Sequence, residues 1–137
     1  MPTDPQERFS ADERKAMKIR AAELKKRENG DAEVRKIIEV MTPDEQEIAL
    51  RIHEAILDQL PQLQPKLRYG QPAYYLDGTV LCFFMAASKY KTTSSVFGFE
   101  DATLVQDGGM WPSSYGILSL SKADEKLLLD LVKRAAG

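Results

Sequence analysis

The stretch YGQPAYYLDGTVLCFF, Tyr69 to Phe84, decides the fold. Apolar and aromatic residues flank Asp77-Gly78, a pair suited to the φ > 0 positions of a type I′ turn. The segment therefore reads as an antiparallel hairpin. A two-residue turn sets Leu76 opposite Thr79, Tyr75 opposite Val80, Tyr74 opposite Leu81 and Ala73 opposite Cys82. One face then carries Ala73, Tyr75, Val80, Cys82 and Phe84, and the other Tyr74, Leu76, Leu81, Phe83 and Met85. Neither is polar, whereas an antiparallel sheet wetted on one side alternates. The hairpin is expected to be covered twice. Helices would cover one face, and the N-terminal helix, the 100–112 loop, a second subunit or a ligand the other. Pro72 fits as the first residue of its strand, where a missing N–H costs least.

Outward from the hairpin, KLRYG reads as a strand before it, and KYKTTSSVFGF and SYGILSL as strands after it. Upstream, Ser10 and Glu13 open a helix with a capping box, and Asn29-Gly30 reads as its left-handed stop. Asp31 then caps a short helix with Val34, Ile37, Ile38 and Met41 inward. Thr42, Pro43 and Glu45 start a third helix, whose inner face is Ala49, Ile52, Ile56 and Leu60. At the C-terminus Ser121 and Asp124 cap a last helix burying Leu127, Leu128, Leu131, Val132 and Ala135. Helices, then strands, then a helix make an α+β layout: a curved antiparallel sheet of about five strands with helices on one face. The expected divisions are a disordered N-terminus at 1–9, a helical extension at 10–30 and an α+β domain at 31–137.

The 137 residues suffice for one core. The formal charge of −2 lacks the basic excess of a general nucleic-acid binder, so nucleic acid is not an expected partner. The charge is uneven: residues 12–28 hold seven Lys/Arg against four Asp/Glu. A single cysteine, Cys82, excludes an internal disulfide. The longest apolar run, Val80 to Ala87, is about half of what a membrane helix needs, and the N-terminus lacks a signal core. A cytoplasmic protein with no membrane partner is expected, monomeric or weakly dimeric.

For chemistry, the two-sided apolar hairpin beside Lys89 and Lys91 suggests an aromatic pocket on the sheet. Tyr69, Tyr74, Phe83, Lys89, Lys91 and Trp111 would bind a small, anionic ligand there. The two lysines are spaced to share one side of a strand. His53, the only histidine, falls on the apolar side of its helix and reads as a core or boundary residue with a hydrogen-bond partner. Cys82 reads as a buried small hydrophobe. The carboxylates Asp44, Glu45, Glu47, Glu54 and Asp58 crowd the third helix and are the candidate oxygen ligands for a metal. No complete catalytic set is visible, which favours a binding protein over an enzyme. The basic N-terminal helix offers a third role, docking on a protein partner or a second copy.

The ordered marks Tyr69-Gly70-Gln71-Pro72, Gly78, Phe83-Phe84, Lys89-Tyr90-Lys91 and the capped helix from Ser121 resemble the YdhG-like domain, a family of unknown function. FSADERKAMKIRAAELK resembles the N-terminal extension of a bacterial subgroup. The resemblance spans roughly residues 9–136. It implies a curved sheet backed by helices. It also implies kinship with frataxin-like intracellular iron chaperones, which hold iron on exposed carboxylates. Iron is the cargo the resemblance implies.

Overall fold

The structure, a computed structural model, describes residues 10–137; the expected disordered stretch 1–9 lies outside the described residues. Two long helices, α1 (Ala11–Glu39) and α2 (Pro43–Gln59), precede β1 (Gln64–Arg68), β2 (Gln71–Leu76) and β3 (Thr79–Met85). A helical turn, α3 (Ala87–Tyr90), leads to β4 (Ser95–Phe99). A 3-10 turn (Ala102–Val105), β5 (Ser114–Ile117) and α4 (Lys122–Ala136) complete the chain. The five strands form an antiparallel meander in chain order, β1-β2-β3-β4-β5, as the expected α+β class requires.

Tight turns impose this order. Tyr69 (φ 54) and Gly70 (φ 72) join β1 to β2, and Asp77 (φ 50) and Gly78 (φ 83) join β2 to β3. Two successive φ > 0 residues are the mark of a type I′ turn, whose twist matches that of the strands it joins. Tyr69-Gly70 is thus a second hairpin turn and not the tail of a strand. The β2–β3 register follows expectation for Leu76–Thr79 and Tyr75–Val80, then slips. Tyr74 pairs with Cys82 and Ala73 with Phe83, which leaves Leu81 without an opposite residue. A β-bulge sets two residues against one, and both Leu81 and Cys82 are buried. The slip redistributes the faces. Tyr74, Cys82, Phe84, Phe97, Phe99 and Ile117 join one core with Val34 and Ile38 of α1, Ile52 and Ile56 of α2, and Leu128 and Val132 of α4. Ala73 and Phe83 turn to the opposite face.

Three further expectations are corrected. Ala87–Tyr90 is helical and Lys91 closes it in the left-handed conformation (φ 55), so Lys89 and Lys91 do not share a strand side. On α4, Leu129 is buried and Leu127 is exposed. The third concerns α1, which does not stop at Asn29-Gly30. It runs through them as one helix of 29 residues, crossing the expected boundary at residue 30.

Gly30 serves packing there, not termination. A Cβ at this position would lie 1.9 Å from the carbonyl oxygen of Pro65. Only glycine lets the helix backbone come this close to β1. Arg27, one turn earlier, donates to the carbonyl oxygens of Leu57 (2.9 Å), Leu60 (3.4 Å) and Leu63 (3.1 Å). It thereby satisfies the Leu57 carbonyl, which the end of α2 leaves free, and sets a cation against the negative end of that helix. Before Arg27 every residue from Ser10 to Lys26 is exposed.

The Gly30 contact predicts a sign. In an unobstructed helix interior, Gly→Ala stabilises by about 1 kcal/mol. Here Gly30→Ala should destabilise by about 1–3 kcal/mol, because either the helix or β1 must move. Urea unfolding of the variant measures it; a gain in stability would contradict the contact.

Candidate functional site

The expected aromatic pocket is not assembled. Tyr74 is buried on the helix-facing side of the sheet, while Phe83 lies on the other. Tyr69 projects from its turn, 78% exposed. Lys89 does approach Tyr69, but its Nζ donates to the Tyr69 carbonyl at 2.5 Å and so closes the β1–β2 turn. Lys91 is exposed. Trp111 is half-buried and donates to the carbonyl of Ala102 at 2.6 Å, pinning the loop before β5 to the 3-10 turn.

The carboxylates of α2 are likewise dispersed. Glu45 is buried, and its side chain leaves the expected capping box. It accepts instead from the backbone N–H (3.1 Å) and hydroxyl (2.8 Å) of Ser88, capping α3. Glu54 pairs with Arg35 at 3.3 Å. Asp44, Glu47 and Asp58 are exposed. Among the described residues no three His, Cys, Asp or Glu side chains gather as a metal-holding group.

A buried polar chain joins α1, α2 and β2. His53 lies inside the core, with Nδ1 2.8 Å from the Tyr74 hydroxyl and Nε2 2.7 Å from Asp31 Oδ1. Arg35 holds the same carboxylate oxygen at 2.8 Å. Burial pushes the Asp31 pKa up, but the hydrogen bonds from His53 and Arg35 outweigh it and hold the carboxyl below its usual range. An ionised carboxylate only accepts, so Nε2 carries a proton. Burial also holds His53 below the ordinary imidazole value, against the pull of Asp31. The ring is therefore neutral, and Nδ1 accepts from Tyr74. Burial keeps the Tyr74 hydroxyl protonated. Cys82 sits beside this chain with its thiol pushed up by burial, inert as expected.

This chain and the Gly30 contact fix α1 at its middle, and a cleft opens beside the fixed point. It holds about 530 Å³, within the range of about 300–1,000 Å³ usual for ligand sites. Ala22, Lys25, Lys26, Asn29, Gly30 and Glu33 line it from α1. These positions, apart from Gly30, recur every three or four residues and share one helix face. Gln64, Pro65 and Lys66 line it from β1, and Tyr75 and Gly78 from the β2–β3 hairpin. Three lysines face one glutamate, and Lys66 Nζ lies 5.6 Å from the centre of the Tyr75 ring. Gln64 donates through Nε2 to the Glu23 carbonyl at 3.4 Å. Its Oε1 is buried with no hydrogen-bond partner among the described residues, an arrangement that costs about 1–3 kcal/mol. Sequence reasoning missed the cleft because it ended the helix at Gly30. The face of positions 22, 25, 26 and 29 gains Glu33 and a fixed place against β1 only when the helix continues through Gly30.

The buried chain predicts a pH dependence. In the unfolded protein His53 titrates near pH 6.5, and in the folded protein lower. Between the two values the unfolded state binds more protons, so stability falls as pH drops below about 6.5 and levels off below the folded pKa. Asp31, also held low, adds a further loss below about pH 4. Thermal melts from neutral to mildly acid pH should show the first loss, and His53→Gln should flatten it. Stability that rises on acidification would contradict a neutral buried ring. Tyr74→Phe, which strands Nδ1 without a donor, should cost about 1–3 kcal/mol.

Comparison with protein-family models, with curated proteins and with solved structures yields no match to this chain.

Proposed function

We propose that this chain is a binding protein for a small organic anion, with the cleft between α1 and the β1–β2–β3 hairpins as its site. The observation that carries the reading is a cavity of ligand size lined by three lysines and one tyrosine ring. A flat or apolar body would rest against Tyr75 and Pro65, its charge directed to Lys25, Lys26 and Lys66. Ligand sites combine an apolar wall with a few converging polar groups in this way. A donor on the ligand would satisfy Gln64 Oε1. The ligand class is the one expected from the sequence; the residues are different ones. Lys89 and Trp111 are engaged in holding turns.

The iron-chaperone role implied by the YdhG-like resemblance draws no support from the positions of Asp44, Glu45, Glu47, Glu54 and Asp58, two of which already have partners.

The aromatic anion 8-anilinonaphthalene-1-sulfonate tests the cleft. Its fluorescence should rise on titration into the native protein and the apparent affinity should fall about tenfold or more in a Lys66→Glu/Tyr75→Ala variant, since one lost charge contact and one lost ring contact together exceed about 1.4 kcal/mol. Equal binding by wild type and variant, or none by either, would overturn the site.

A further inference from the structure

The cleft is one end of a longer basic track. On α1, Lys15, Lys18, Ala22, Lys25, Lys26 and Asn29 fall within about 100° of helix surface, and no acidic residue between 15 and 29 shares that arc. Lys25, Lys26 and Asn29 line the cleft. Lys15 and Lys18 continue the same face along the fully exposed half of the helix. On the far side of the cleft the track passes onto the sheet. Lys66 and Arg68 pair across β2 with Ala73 and Gln71, on the same face as Tyr75 and Phe83. This is the face opposite the helix-packed core. Strand β1 is the sheet's edge, so the row Tyr75, Lys66, Arg68, Tyr69 runs along its rim.

The row alternates rings and cations. Lys66 lies over Tyr75, and the Arg68 guanidinium lies 5.2 Å from the Tyr69 ring centre and 4.8 Å from that of Phe83. Arg68 is also paired with Glu100 at 2.6 Å. Its charge is thereby partly answered, and it contributes chiefly a flat stacking plane. One exposed ring, Tyr69, and the half-buried ring of Tyr75, separated by cations and joined to a charged groove, are what single-stranded nucleic acid needs: phosphates follow the cations and bases stack on the rings. A small anion accounts for the cleft but leaves Lys15, Lys18, Arg68 and Tyr69 without a role. An extended polyanion with flat side groups engages all of them. The whole-chain charge of −2 does not oppose this, because a ligand meets the local face and not the sum.

Resting on the cleft reading and extending it, we infer that the track from Lys15 to Tyr69 binds single-stranded nucleic acid, with backbone phosphates on Lys15, Lys18, Lys25, Lys26 and Lys66 and bases stacked on Tyr75 and Tyr69.

Fluorescence anisotropy of a labelled oligothymidylate of about 12 nucleotides, with the full chain, tests it. Five lysine–phosphate contacts give a salt slope near −3.5, so affinity should fall on the order of 100-fold from about 50 to 200 mM salt. Tyr69→Ala, at an exposed turn, should lower affinity about fivefold or more. Lys15→Glu/Lys18→Glu, on a helix face that packs against nothing described, should lower it at least about tenfold and leave the naphthalenesulfonate affinity of the cleft unchanged. Naphthalenesulfonate binding without oligonucleotide binding would overturn this inference and keep the cleft; loss of both would overturn both. Heparin bound as tightly as the oligonucleotide, with Tyr69→Ala without effect, would reduce the track to a charge patch and overturn base stacking. Preference for duplex over single strand would also overturn it, since a duplex presents no free base to a ring.

Discussion

The structure turns on the seating of α1 at two adjacent residues. At Gly30 the helix backbone meets the Pro65 carbonyl so closely that no side chain fits between them. At Asp31 the same turn sends a carboxylate to His53, and through it to Tyr74. One contact ties α1 to the edge strand and the other ties it to α2 and the centre of the sheet. Arg27 completes the seat by closing the end of α2. Because all three lie within two turns, the helix is held at one point along its length. Its C-terminal part joins the core through Val34 and Ile38, and its N-terminal part is free to line a cleft and then to project. Had the chain broken at Gly30, Lys25 and Lys26 would have had no fixed relation to Lys66.

Local chemistry was legible where one residue decides one geometry. Thr42 and Ser121 accept from the backbone three residues on, as capping residues should, and Asp77-Gly78 turns the central hairpin. The inner face of α2 was readable because period and burial agree along its length. What was not legible depended on a distant partner. Gly30 has the same local signature whether it ends a helix or admits a strand, and only Pro65, 35 positions away in the sequence, decides between them. Glu45 has the position of a capping-box residue, yet Ser88 outbids its own N-cap. Tyr69 concealed a turn because a bulky residue is unusual at φ > 0; its carbonyl is held by Lys89, on a turn that forms only after β3 has crossed the sheet.

The bulge at Leu81 explains the missing polarity of the hairpin. With strict alternation, one residue of each neighbouring pair faces away from the core. The slip brings Leu81, Cys82 and Phe84 all inside. The other face keeps Phe83 and Tyr75, and α1 faces Tyr75 across the cleft. Their cover is the charged ends of Arg68 and Lys66, which lie 4.8 Å from the Phe83 ring centre and 5.6 Å from that of Tyr75. Gly98 lies beneath the Phe83 ring, where a Cβ would fall 2.9 Å from it. The second face is therefore neither a buried layer nor a plain wet surface. It is a thin aromatic layer under a removable cationic cover.

That cover bears on what the surface does. A cation over a ring is stabilised by about 0.5–1 kcal/mol at an exposed site, little enough for an incoming ligand to displace. Displacement would expose a ring and free a charge at the same point, so one movement of Lys66 would supply both parts of a site for a flat anion. The same economy holds for the stability of the domain. Tyr75 on β2 and Phe83 on β3 stay partly shielded from water in the free protein, and the shield costs no second layer of structure. A neutral outer row, or an acidic one, would leave the rings bare and the cleft without its counter-charge. Lys66 and Arg68 thus stand where the helix-packed core leaves one face of the sheet open.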